Sequence, residues 1–391
     1  MIEIKEKNKC SGCGACIAIC PQNAIHYYQD DEGVRYPKID IGRCIQCGRC
    51  DKVCPMKDEK HGVPSECIDY KKIFYAAQLK EKKELDEVSS GGAFWALAQM
   101  AIDKKGVVYG ARQTDVDNIE HFRTESLQEA KNFRKSKYLQ SDSSKVYQLV
   151  REDLEEGKYV LYSGTGCQVA GLNMYLKKCY ANLLTCEVVC HGVPCGLAWQ
   201  SYRIEKESKK GKKIVDLIFR DKSKGWNANQ YKIVYEDGTV EYERSTEQLF
   251  HKGYLMGLFY RPSCGCCVFA SMPRVADITL ADYWKYDGTL FSKDNKGVSL
   301  VVVNSRKGYE AVKQAEKYMK VELASETEVF NSCRHLYKTP IENPKREEFM
   351  NLLQKNGYHK AIAKYIEKRN ILIKCIREIR SFLYTLNKQR D

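Results

Sequence analysis

Residues 10–21 read CSGCGACIAICP, and residues 44–55 read CIQCGRCDKVCP. Both are C-x2-C-x2-C-x3-C-P, the second following the first at a period of 34 residues. Thiolates two residues apart on a tight turn can reach three irons of a cubane while the N–H groups of that turn face its sulfides. Gly12, Gly14 and Gly48 relieve the crowding this demands. In two-cluster modules the fourth cysteine of each run ligates the other cluster. Cys10, Cys13, Cys16 and Cys54 are therefore assigned to one 4Fe-4S centre, and Cys44, Cys47, Cys50 and Cys20 to a second. Zinc also uses paired C-x2-C groups, but three cysteines at this spacing and then C-P, twice over, is a poor zinc pattern.

The first 60 residues or so resemble bacterial-type two-cluster ferredoxins, which implies low-potential, one-electron transfer. The chain around them has 391 residues, 19 cysteines, 43% hydrophobic residues and a formal net charge of +13. That length suggests two or three domains with a real core and rules out a purely disordered chain. Its longest apolar stretches, such as Val298–Val303, fall far short of the roughly 18 residues of a membrane-spanning helix. The amino terminus, MIEIKEKNKC, lacks the apolar core of a signal peptide, so a cytoplasmic location is expected. In a reducing compartment so many cysteines imply metal or redox chemistry rather than a disulfide framework.

From about Tyr70 apolar runs alternate with amphipathic stretches, as in an α/β or α+β domain. A proline-containing linker, HGVPSEC (61–67), marks the boundary. The pattern predicts a helix beginning at SSGGAFWALAQM (89–100), a strand at 106–111 and a loop at FRKSKYLQSD (133–142). A strand at 158–162 runs into SGTGCQVAGL (163–172), a glycine-bearing turn that opens a helix. Such a turn suits a phosphate or a flavin edge, and equally an ordinary strand-to-helix connection. A further strand (183–189) leads into CHGVP (190–194), and RPSCGCCVF (261–269) follows later. Cys264 and Cys267 stand at C-x2-C spacing. With Cys167 and Cys190 they make four thiols for a third 4Fe-4S cluster, a zinc site, or buried and redox-active thiols; the spacing leaves all three open.

Taken in order, the two ferredoxin runs, SSGGAF (89–94), SKYLQS (136–141), SGTGCQVAGL, CHGVP, FRDKSKGW (219–226), RPSC-x2-C, RVADITLADYW (274–284), DNKGVSLVVVN (294–304) and NPKR (343–346) resemble the beta subunits of coenzyme F420-reducing hydrogenases and dehydrogenases. That family includes bacterial relatives encoded among polysaccharide-assembly genes. The resemblance implies FAD held by Ser90, Gly91 and Gly92, by Ser136, Lys137 and Tyr138, and by Gly164, Thr165 and Gln168. It also implies a third 4Fe-4S cluster on Cys167, Cys190, Cys264 and Cys267. Two positions depart from the family pattern: Gly166 stands where proline is usual, suggesting a looser turn, and Ala281 where glycine commonly precedes the acid matching Asp282.

The expected activity is that of an iron–sulfur flavoprotein oxidoreductase. Single electrons from ferredoxin-type clusters would pass through the third cluster to FAD and leave as hydride to a small-molecule acceptor. A sugar nucleotide or lipid-linked sugar would fit the polysaccharide context. Reduction or oxidation of coenzyme F420, and a non-catalytic electron-transfer subunit of a larger complex, are the alternatives. His191, next to a proposed ligand, reads as a proton donor with an ordinary pKa of about 6.5 or as a cap on a carbonyl or sulfur. Lys137 reads as a pyrophosphate contact or a solvated lysine. Asp282 and Trp284 belong to a family motif whose role can be structural. No G-x-G-x-x-G follows a strand, which points to ferredoxin or another redox protein, rather than a nicotinamide, as electron donor.

Residues 341–391 hold 12 Lys or Arg and 6 Asp or Glu. From Lys364 onward Ile and Leu recur at helical spacing among basic residues, predicting an amphipathic helix that packs on the domain or lies peripherally on an anionic membrane. No nucleic-acid motif accompanies the charge. Three oxidised cubanes with four thiolates each, at about −2 apiece, would lower the formal charge to about +7. The expected layout is a ferredoxin-like domain (1–62), a mixed α/β domain binding FAD and 4Fe-4S (68–340), and a basic helical tail (341–391).

Overall fold

The computed structural model describes residues 2–244, 246–291 and 294–366. Between the two cysteine loops, strands β1 (Ile25–Gln29) and β2 (Arg35–Ile39) form an antiparallel hairpin. The repeat in sequence is also a repeat in backbone. Gly12 and Gly14 take φ of +70° and +83°, and the matching Gln46 and Gly48 take +53° and +70°.

The larger part contains β3 (Ile73–Leu79), β4 (Val107–Gln113), β5 (Ile119–Thr124), β6 (Ser141–Asp142), β7 (Val160–Thr165), β8 (Leu183–Val188), β9 (Ile214–Asp221), β10 (Gln230–Tyr235), β11 (Val240–Arg244), β12 (Ile278–Asp282), β13 (Ser299–Val303) and β14 (Met319–Leu323). Nine of these make one mixed sheet in the order β14-β3-β13-β12-β8-β7-β4-β5-β6. Its central strands β12, β8, β7 and β4 run parallel, and antiparallel pairs flank them. The continuous apolar run SLVVV of β13 is buried along its whole length, as expected of a strand covered on both faces.

One face is covered by the alanine-rich helix Ala93–Asp103, whose small side chains let it lie close to the sheet, and by the helix Arg306–Ala315. The other face carries the helices Tyr147–Glu155 and Gly166–Leu176, and onto these the ferredoxin module packs through Cys13, Ala15 and Val53. The linker at 61–67 is correspondingly no free hinge. Gly62 lies against Ala170, and its carbonyl accepts from Asn173 Nδ2 at 3.0 Å.

Beside the main sheet stands a three-stranded antiparallel sheet, β11-β10-β9. It shares an aromatic core with the helices Gly196–Lys210, Leu249–Leu255 and Arg346–Asn356. The start of the basic tail therefore packs inward, through Phe349, Met350, Leu353, Tyr358, Ala361 and Ile362. The remainder of the predicted amphipathic helix lies outside the described residues. Among the described residues no helix is long and apolar enough to cross a membrane.

Candidate electron-transfer site

Cys10, Cys13, Cys16 and Cys54 lie near one another. Burial raises the Cys16 thiol well above its ordinary range, and Cys13, Cys10 and Cys54 lie close enough to raise it further. Around the second set a small cavity is lined by Cys20, Cys44, Cys47 and Cys50. Backbone amides point at sulfur in this module: Ile2 N–H donates to Cys50 Sγ at 3.3 Å, and Ala24 N–H to Cys20 Sγ at 3.3 Å. Buried thiols that crowd one another while receiving N–H donors form an environment for thiolates on a cationic iron core. Among the described residues no three His, Cys, Asp or Glu side chains converge as closely as one metal ion requires.

The two loops have different surroundings. The second is exposed at Ile41, Arg43, Ile45, Gln46, Cys47 and Arg49. The first is gripped by the larger domain. Ser143 Oγ and Tyr147 Oη donate to Cys13 O at 3.1 and 2.8 Å, and Gln140 Nε2 donates to Ser11 O at 3.1 Å. A Cβ on Gly12 would come within 2.5 Å of Gln140 Nε2 and 2.8 Å of Arg261 Nη1. Gln46 adopts the same left-handed conformation with a side chain, so at Gly12 it is the close approach that demands glycine.

The parallel strands β7, β8 and β12 deliver their carboxyl ends to one cavity of about 420 Å³, where α/β sheets ordinarily bind ligands. Thr165 begins the helix after β7 with a capping box to Gln168, and Cys167 lies in its first turn. Cys190 follows β8. The CHGVP and RPSC loops are joined by a bridge between Pro194 and Tyr260 and by Arg261 N–H donating to Val193 O at 2.9 Å. Cys167, Cys190, Cys264 and Cys267 thus line one end of the cavity together. Burial pushes the Cys190 thiol well up, with Cys264, Cys167 and Cys267 adding to the effect; Cys264 is pushed up to about 11 and Cys267 to about 12. N–H groups face this set too, from Gly192 to Cys190 Sγ at 3.3 Å and from Val193 to Cys264 Sγ at 3.5 Å. Cys13 of the first set and Cys167 of this one lie close enough for each charge to feel the other.

Ser90, Gly92, Ser136, Lys137, Tyr138, Gly164, Thr165 and Gln168 all line the same cavity. Gly91 does not. A Cβ there would come within 2.2 Å of Ala77 O and 2.6 Å of Ser299 N, so this glycine serves the approach of its loop to β3 and β13. Several polar groups already have partners. Ser90 Oγ donates to Val298 O at 2.8 Å, and Gln168 Nε2 to Ser141 O at 3.1 Å. Lys137 Nζ donates to the carbonyls of Asn132, Arg134 and Lys135, and burial with Lys135 nearby lowers it to about 7. Lys137 therefore fastens the 132–135 turn and is not a free phosphate ligand.

His191 lines the cavity beside Cys190, its ring 4.1 Å from that of His335 in a T-shaped contact. Burial, then His335 and His251, lowers it to about 4. The expected looseness at Gly166 is also absent. This residue is the first of a regular helix, and its missing Cβ makes room for Glu187 Oε2. Asp282 accepts from Arg220 Nη1 at 2.9 Å and from Trp226 Nε1 at 3.3 Å, and Trp226 stacks on Trp284 at 4.2 Å.

Other wall residues had no motif to mark them. His121, 4% exposed on β5, bonds Ser163 O through Nε2 at 2.9 Å and leaves a buried Nδ1 without a partner. His335 Nδ1 and Arg134 Nε, also in the wall, are likewise unpartnered. Buried polar atoms in this condition are costly unless a ligand meets them.

Compared with known proteins, residues 9–57 match the 4Fe-4S dicluster domain. Residues 157–329 match the family described as the C terminus of the coenzyme F420 hydrogenase/dehydrogenase beta subunit. Among solved structures, a chain of the F420-reducing [NiFe] hydrogenase complex from Methanosarcina barkeri is similar, with a TM-score of 0.44 and 18% identity over 79% of this chain and 96% of that one. No curated protein matches the chain.

Proposed function

We propose that this chain, which belongs to the coenzyme F420 hydrogenase/dehydrogenase beta subunit family and carries a 4Fe-4S dicluster domain ahead of the family's C-terminal domain, is an iron–sulfur flavoprotein oxidoreductase. Its coarse character, iron–sulfur electron transfer, follows from those domains. Beyond that, the reading is a one-way arrangement of three 4Fe-4S sites ending at FAD and a small-molecule acceptor.

The observation that carries it is the continuity of the three thiol sets. Cys47 is exposed, Cys10 and Cys13 are buried against the larger part of the chain, and Cys167, Cys190, Cys264 and Cys267 face a cavity walled by the SSGG and SKYLQS segments. A redox protein would exchange electrons at the exposed loop. The second cysteine set would hold the outermost cluster, the first set the middle one, and the cavity set the innermost.

The cavity suits a flavin on two grounds: its walls close around a space of about 420 Å³, and His121 Nδ1, His335 Nδ1 and Arg134 Nε are buried there without partners. Ser90, Gly92, Ser136, Tyr138, Gly164 and Thr165 would shape the pocket. When bound, FAD supplies the conversion between single electrons and hydride. This chain's residues would shield it from water and hold it near the four thiols that line the same cavity. His191, which packs against His335 in the wall, would be a candidate for hydrogen bonding to the flavin or the acceptor.

Anaerobic quantification of iron, sulfide and flavin on the reconstituted chain tests this directly. About 12 irons and one FAD per chain are expected, since each cubane holds about four irons. The variant Cys190→Ala should fall to about 8 irons and lose reduction of the flavin by ferredoxin. Eight irons and no flavin in the unaltered protein would sink the proposal. Turnover of F420 by the reconstituted chain would identify the acceptor as a deazaflavin.

A further inference from the structure

Five arginines are buried among the described residues, namely Arg134, Arg220, Arg261, Arg274 and Arg346. Four of them have a carboxylate partner: Glu84, Asp282, Glu187 and Glu32 respectively. Arg261 is 1% exposed and, among the described residues, no carboxylate lies within ion-pair distance of it. Its five N–H donors are nonetheless well occupied. Nε donates to Cys10 O at 2.9 Å and to Ser263 Oγ at 3.2 Å, and Nη1 to Arg35 O at 2.9 Å and to Gln140 Oε1 at 3.0 Å. Nη2 donates to Cys10 Sγ at 3.4 Å, and the guanidinium lies 4.7 Å from the ring centre of Tyr36.

Carbonyl, amide and hydroxyl oxygens satisfy the hydrogen bonds, but they do not neutralise the charge. A guanidinium cannot shed its proton to escape burial, and a buried ion without a counter-ion is strongly disfavoured. With a cluster bound to the first set, the thiolate of Cys10 would be a negative charge in direct contact with it. Cys10 touches it, and Cys264 and Cys167 of the cavity set lie within its field. Its position in the chain explains why it faces both sets. The Arg261 carbonyl accepts from Cys264 N–H at 2.8 Å, so its backbone shapes the cavity set's loop while its side chain enters the loop of the first set.

We propose that Arg261 is the counter-ion of the electron relay, a positioning residue that favours an added electron on the cluster of Cys10, Cys13, Cys16 and Cys54 over the cluster of Cys44, Cys47, Cys50 and Cys20. This rests on the reading that both sets hold 4Fe-4S clusters. Cluster potentials follow net charge, hydrogen bonds to sulfur and solvent exposure, and Arg261 contributes to the first two on one side only. Around the second set the cations Arg43, Arg49 and Lys52 are exposed to water and to screening salt. The step biased is a one-electron exchange. The outer cluster is oxidised by one electron, the middle cluster is reduced by one, and no bond or proton moves.

The test uses the full chain, reconstituted anaerobically, with iron counted and midpoints measured by EPR-monitored redox titration. Cys47→Ser identifies which signal belongs to the outer cluster. In Arg261→Gln the middle cluster's midpoint should fall while the outer one's holds, changing the electron's partition between them at least tenfold, equivalent to 59 mV for a one-electron couple. Gln140→Glu keeps the guanidinium and sets a carboxylate against Nη1, so it should move the same midpoint the same way even if Arg261→Gln fails to hold its iron. The shift should be the same at pH 6.5 and pH 8.5, because the arginine stays charged. Full iron with unmoved midpoints in Gln140→Glu, or equal shifts of both clusters, overturns the proposal. Fewer than eight irons in the unaltered chain would instead remove the cluster reading beneath it.

Discussion

Cys13 and Gly171 meet where the ferredoxin module joins the larger domain. A Cβ on Gly171 would lie 3.0 Å from Cys13 Cβ and 3.1 Å from its Sγ. Gly171 sits mid-helix in Gly166–Leu176, where glycine costs about 1 kcal/mol relative to alanine, so its presence there is explained by the contact and not by the helix.

Gly171→Ala should accordingly be destabilising. The helix gains about 1 kcal/mol, but overpacking against a cysteine held by Ser143 and Tyr147 costs about 1–3 kcal/mol. Thermal unfolding of the reconstituted chain should come at a lower temperature, and the cluster of the first set should be the first lost on exposure to air. A melting temperature equal to or above that of the parent, with iron retained, would show that the contact is slack.

The exposed loop of the second set carries a second prediction. Ile41 and Ile45 are 67% and 60% exposed, and Arg43 and Arg49 stand beside them with Cys47 at the surface. An acidic one-electron carrier would find apolar contact ringed by positive charge here. Arg43→Glu with Arg49→Glu should slow second-order reduction by such a carrier about tenfold or more at low ionic strength, and the gap should close near 1 M salt, where the Debye length is about 3 Å. Stopped-flow traces that show the same slowing at both salt concentrations would point to damage at the cluster instead of docking.

How far the sequence could be read depends on what each residue has to do. The repeat at 10–21 and 44–55 is local and legible from spacing, and the backbone repeats it down to paired left-handed residues; the exchange of Cys20 and Cys54 between the sets came from the rule for two-cluster modules. Cys167, Cys190, Cys264 and Cys267 come from three separate loops; their spacing left several chemistries open, and only the family resemblance joined them. The motifs that gave Ser90, Gly92 and Thr165, which line the cavity, also gave Gly91, which touches strand backbone, and Lys137, which fastens a turn. His121 and Arg261 escaped notice in the sequence for a common reason. Each owes its significance to a missing partner, and a missing partner becomes visible only when every neighbour has a position.

Lys222 makes the pH dependence testable. Its Nζ donates to the carbonyls of Leu85, Ser90 and Lys296 at 2.8, 2.6 and 2.7 Å, which ties the SSGG loop down. Burial, with Arg220 and Lys296 opposing Asp282 and Asp86, lowers it to about 7. Between about pH 7 and its ordinary value of 10.5 the unfolded chain binds this proton and the folded chain does not, so its contribution to stability rises with pH across that window. The melting temperature of the parent minus that of Lys222→Met should rise from pH 7 to pH 10. A difference that stays constant or shrinks would mean that the three carbonyls hold the ammonium charged.

Gly166 occupies the position where the family resemblance leads to an expectation of proline, and the geometry predicts how either replacement behaves. It is the first residue of its helix, a position where proline is well tolerated, so backbone conformation gives no reason to exclude proline. The obstacle is Glu187. That carboxylate is fully buried, accepts from Arg274 Nε at 2.6 Å and from Thr279 Oγ1 at 2.7 Å, and presents its unpartnered Oε2 to the place a Cβ would occupy, 2.8 Å away. Any side chain must displace a buried ion pair or the Phe269 backbone and side chain behind it. Gly166→Ala should therefore lower stability by about 1–3 kcal/mol, and Gly166→Pro by a similar amount, because both add the same Cβ. If glycine were needed for backbone freedom, proline would be much the worse of the two. Equal melting temperatures for the two variants, both below the parent, would attribute the need for glycine here to the Glu187–Arg274 pair.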